Sequence, residues 1–73
     1  KAIFNYTKAI EYAKILGKEK MGYNIYSNYY LGKIFYDRSE FDKSKLYFNN
    51  VIKLTNRKNE LNKRAKLNLK KIK

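Results

Sequence analysis

The stretch that decides the fold is NYYLGKIFYDRSEFDKSKLYFNNVIKLTN, residues 28–56. Asn28, Tyr29, Gly32, Phe35 and Tyr36 recur at steps of three and four, with Ile25 one turn earlier, so they share one side of a helix. That helix is expected to stop near Asp37. Ser39 is followed three residues later by Asp42, a pattern in which a hydroxyl and a carboxylate satisfy the free N–H groups at a helix start. A further helix then buries Phe41, Ser44, Phe48, Val51 and Thr55, with Tyr47 and Leu54 widening the stripe. Gly32 and Ser44 are small, and two helices cross closely only where side chains are small.

Outward from this pair, Tyr6, Ala9, Ile10, Ala13 and Leu16 form one apolar face of an earlier helix, for which Gly17 is the C-terminal cap. Beyond it, Leu61, Ala65, Leu69 and Ile72 form the inner face of a last helix, opposite a row of Lys63, Lys66, Lys70 and Lys73, with Leu67 exposed among the charges. Proline is absent and Gly is confined to positions 17, 22 and 32, so strand-turn-strand punctuation is missing. The expectation is a single all-α domain over residues 1–73, with helices at about 2–16, 20–37, 40–55 and 57–72.

A shift of 35 residues places Tyr6 on Phe41, Lys8 on Lys43, Ala9 on Ser44, Tyr12 on Tyr47 and Leu16 on Val51. Such a period indicates helical hairpins that bury their apolar faces by stacking on neighbours. Residues 28–56 resemble a tetratricopeptide repeat (TPR) in Leu31-Gly32, the aromatic Phe35 and the Ser44-x-x-x-Phe48 pair. Asn28 stands where that family often has Trp, Ser44 where it has Ala, and Asn56 where it usually has Pro. The first helix is similar to the second helix of a preceding repeat, and the last fits either a capping helix or the opening of a further repeat. The stretch from Gly17 to Gly22, followed by Tyr-rich sequence and the Leu-Gly pair, also resembles the slightly longer repeats of bacterial peptide-pheromone receptors. A chain opening on Lys1 rather than Met reads as a piece of a longer protein.

The resemblance implies a TPR-like α-solenoid of antiparallel hairpins that binds another protein or a peptide. It places Tyr26, Tyr29, Lys33, Tyr36 and Asp37 on the wall of the binding groove, although Tyr29 fits the core equally well and Lys33 also reads as a solvated charge. Tyrosines suit such a wall because each offers a rigid apolar ring and a hydroxyl. Asn24 and Asn28 can hydrogen-bond a peptide backbone, but Asn is abundant throughout this chain.

The net charge of +12 favours acidic partners and affinity that falls with salt. Part of that charge is compositional: Lys, Asn, Ile and Tyr make up more than half the chain, the bias of AT-rich codons, and three of the 18 basic residues are Arg. The alternative function is a nucleic-acid-associated helix using Lys63, Lys66 and Lys70. From Arg57 onward there are eight basic residues against the single acid Glu60, but no aromatic to stack on single strands. Exposed solenoid ends also predict self-association.

An enzyme is not expected. There is no His base, no Cys nucleophile and no converging acid pair, and residues 17–22 lack the Gly-Lys-Ser/Thr ending of a phosphate loop. No metal or cofactor site is expected either, since six scattered carboxylates form no Asp-x-Asp loop. No apolar run approaches the ~20 residues of a membrane span. The lack of Cys fits a reducing, cytoplasmic location.

Overall fold

A computed structural model describes residues 2–18 and 21–72. Its four helices are α1 (Ala2–Ile15), α2 (Gly22–Asp37), α3 (Phe41–Leu54) and α4 (Glu60–Lys71), with no strand among the described residues. The expected all-α class is therefore correct, and each helix lies within a few residues of its expected bounds.

The ends of α1 and α2 share one device. Beyond α1, Gly17 takes a left-handed φ of 66°; its N–H donates to Lys14 O, and the N–H of Lys18 donates to Ala13 O. Beyond α2, Ser39 adopts φ 61° with the same pair of bonds, Ser39 N to Tyr36 O and Glu40 N to Phe35 O. Both pairs satisfy carbonyls that a helix end leaves open. Gly17 thus caps as expected. Ser39 does not: it closes α2 rather than opening α3, whose N-cap is Glu40 with no side-chain cap bond. Helix α4 starts at Glu60, later than expected, because asparagine side chains hold the chain in a loop before it. Asn56 Oδ1 accepts from Lys58 N, and Asn59 Oδ1 caps the helix by accepting from Leu61 N.

Helices α2 and α3 form an antiparallel hairpin, since later residues of α3 meet earlier residues of α2: Tyr47 stacks on Phe35, Phe48 abuts Gly32, and Asn50 reaches Asn28. A Cβ built on Gly32 would lie 2.8 Å from the Phe48 ring, so the close crossing expected from Gly32 and Ser44 is present. The core comprises Ile25, Tyr29, Phe48, Val51, Ala65 and Ile72, with Tyr36, Ile52, Leu54, Leu61 and Leu69 packed at its margin. Helix α2 is the hub, touching the other three helices, whereas among the described residues the backbone of α1 packs closely on α2 and on no other helix. The domain is flat, 35 × 30 × 15 Å.

Two core assignments are corrected. Leu16 is 59% exposed because α1 ends before it, and Phe41 is 39% exposed because it sits at the first position of α3, edge-on to Tyr36. Lys73 lies outside the described residues.

Candidate functional site

The outer side of α2 carries Tyr23, Tyr26, Tyr30, Lys33 and Asp37, all exposed and all on one stripe at helical spacing. Their neighbours Ile25, Asn28, Tyr29, Gly32 and Phe35 fill the opposite side, which faces the rest of the molecule. The stripe is therefore what remains of α2 once its buried face is committed.

Its centre is a stack of three rings. Tyr30 lies 5.8 Å from Tyr6 of α1 at an interplanar angle of 17°, and 6.2 Å from Tyr26 at 16°. Tyr30 also meets Tyr29 edge-on at 5.6 Å, and Tyr29 in turn meets the fully buried Phe48 edge-on at 5.8 Å. The surface stack is thus continuous with the core. Rings held this way lose little further freedom on contact with a partner, which is the property of an aromatic anchor at an interface.

Of the residues expected on the groove wall, Tyr26, Lys33 and Asp37 lie on this stripe. Tyr29 does not; it is 6% exposed and belongs to the core, because it projects toward α3, where Phe48 receives it. Tyr36 is half-buried at the core margin. Lys33 Nζ lies 5.9 Å from the Tyr29 ring centroid, so the ammonium covers the edge of the core from outside. Two residues of the stack, Tyr6 and Tyr30, were not expected in the site. The four-residue step from Tyr26 to Tyr30 was the signal for one; no spacing within a single helix could announce Tyr6, which arrives from α1.

Asn24 and Asn28 are buried and sit on the far side of α2 from the tyrosines. Asn28 Nδ2 donates to Asn24 O at 2.9 Å, and Asn28 Oδ1 accepts from Asn50 Nδ2 at 3.1 Å. On α4, Lys63, Lys66 and Lys70 are exposed along one edge, with Leu67 exposed beside them. None of the three lysines is paired with a carboxylate among the described residues; the ion pairs that form use Lys8, Arg38, Lys43 and Arg64.

Among the described residues no group of three or more His, Cys, Asp or Glu is placed to hold a metal ion, and no helix is long and apolar enough to cross a membrane. Compared with known proteins, the chain matches no family model, no curated protein and no solved structure.

Proposed function

We propose that this chain is a TPR-like α-solenoid segment that binds another protein or a peptide through the tyrosine stripe of α2. The observation that carries the reading is the Tyr6–Tyr30–Tyr26 stack, in which Tyr30 and Tyr26 are exposed and Tyr6 is half-buried, pinned to the core through Tyr29. Large rings left 42–52% exposed at Tyr30 and Tyr26 are costly to leave in water and supply contact area at small entropic cost. The TPR resemblance supports the same surface, since Tyr26, Lys33 and Asp37 belong to the helix that lines the groove in that family. An excess of 12 positive charges selects acidic partners.

The test is a peptide library displayed against the wild-type chain. Peptides that bind it lose binding to the Tyr26→Ala/Tyr30→Ala variant, whose helicity by circular dichroism stays unchanged. Retained binding rejects the stripe as the contact surface.

A second reading, nucleic-acid association through α4, is favoured by the exposed row Lys63, Lys66 and Lys70, which meets no carboxylate among the described residues. Replacing all three by Gln flattens the salt dependence of binding to duplex DNA if that row carries it. Absence of binding at low salt ends this reading.

A further inference from the structure

Behind α2, on the side away from the tyrosines, a cleft of ≈ 200 Å³ opens between α1, α2 and α3. Asn24, Asn28 and Asn50 line it together with Lys14 and Lys53, and Ile10 and Leu54 supply its apolar surface. No carboxylate lines it among the described residues. At 100° per residue, Asn24 and Asn28 sit roughly 160° around α2 from Tyr26, so this is a separate face.

The asparagines account for their own hydrogen bonds unevenly. Asn28 is fully engaged, donating to Asn24 and accepting from Asn50. Asn50 spends one N–H on Asn28, and its carbonyl oxygen meets no donor among the described residues. A carboxamide with one N–H and one C=O to offer matches the C=O and N–H of a peptide group. The two lysines, both exposed, add positive charge around the same opening.

We propose that this cleft takes an acidic residue of a peptide, pairing its backbone amide with Asn50 and holding its side-chain carboxylate between Lys14 and Lys53. The size agrees. A volume of ≈ 200 Å³ equals roughly seven waters, room for one acidic side chain but less than the space a drug-sized ligand fills. Ile10 and Leu54 meet the methylenes of such a side chain. A neighbouring cavity of ≈ 410 Å³ shares Lys53 and Leu54 and adds Thr55, Asn56 and Asn59, so flanking peptide has polar surface to follow. The proposal shares only its class of partner with the tyrosine-stripe reading and stands on different residues.

The experiment is an amide-resolved NMR titration of the intact chain at low salt with acetyl-Gly-Glu-Gly-amide. Shifts are expected at the side-chain NH2 groups of Asn28 and Asn50 and at the backbone N–H of Lys14 and Lys53, and are absent with acetyl-Gly-Gln-Gly-amide. Lys14→Gln/Lys53→Gln weakens binding by roughly tenfold, while Lys63→Gln/Lys66→Gln, which removes the same charge elsewhere, leaves it within about twofold. Equal loss in both variants, or shifts centred on α4, would reduce the effect to general attraction and overturn the site. Inorganic phosphate matching the glutamyl peptide overturns the pairing with Asn50. Tighter binding of acetyl-Gly-Gly-Gly with a free carboxylate overturns the side-chain assignment in favour of a chain terminus. Tyr26→Ala/Tyr30→Ala leaves the glutamyl titration intact, which separates failure of one surface from failure of the other.

Discussion

The hydroxyl of Ser44 donates to the backbone carbonyl of Gly32 at 2.7 Å, across the α2–α3 crossing. Both residues are buried. The bond uses a lone pair that remains on a helical carbonyl after its own i+4 bond, and it requires two backbones brought close by small side chains. It is also the reason a serine is tolerated at a position with no exposure: its one hydroxyl proton has a partner.

Gly32→Ala is expected to lower stability despite the better helix propensity of Ala. The added methyl would meet Phe48 Cδ1 and Cε1 at 2.8 Å, so the fully buried Phe48 ring would have to shift to admit it. Overpacking of this kind costs about 1–3 kcal/mol, against about 1 kcal/mol gained by removing a helical glycine. A net loss of about 1 kcal/mol in urea unfolding is the expected outcome; a gain would mean that the crossing is looser than described.

Ser39→Gly is expected to stabilise. Ser39 holds φ 61°, a conformation that costs a residue with a Cβ about 1 kcal/mol, partly offset by the extra freedom glycine has when unfolded. A gain of about 0.5 kcal/mol, read as a raised midpoint in thermal unfolding, checks this. Gly17→Ala, at φ 66°, is the mirror experiment and should lower the midpoint.

Asn62 ties α4 to the end of α3. Its Nδ2 donates to Thr55 Oγ1 at 3.0 Å and reaches the carbonyls of Thr55 and Ile52 at 3.4 Å, while Oδ1 is buried without a partner among the described residues. Asn62→Asp keeps the shape but turns a donor into a buried anion facing three acceptors. The expected cost at pH 7 is about 3–5 kcal/mol in chemical denaturation. Burial raises the carboxyl pKa in the folded state above its unfolded value, so the ionisation penalty grows as pH rises and disappears below about pH 4. A variant equally stable at both pH values contradicts the assignment.

Much of this architecture was legible in residue spacing, because helix period and small-residue placement are local signals. The α2 stripe of Ile25, Asn28, Tyr29, Gly32 and Phe35 is the buried face found. Ser39 was misread because Ser-x-x-Asp looks the same whether the serine opens one helix or closes the preceding one; only the backbone φ separates the two. Asn56 and Asn59 delayed α4 by capping a loop, a competition between side chain and backbone that periodicity does not register. The site was half legible. Tyr26, Lys33 and Asp37 follow from one helical face, whereas the Tyr6–Tyr30 stack and the placing of Lys14 and Lys53 at one cleft depend on how α1 lies against the hairpin.

Because the backbone of α1 packs closely on α2 and on no other helix among the described residues, its hold on the rest of the molecule is one-sided. Ala13 is its buried residue, while Phe4, Tyr12 and Ile15 stay 61–77% exposed. Amide protons of α1 are therefore expected to exchange with solvent through a partial opening that leaves the α2–α3–α4 remainder shut. A ligand bridging Lys14 and Lys53 would latch this detachable helix, and its occupancy would register as slowed exchange along the whole of α1, well beyond the atoms it touches.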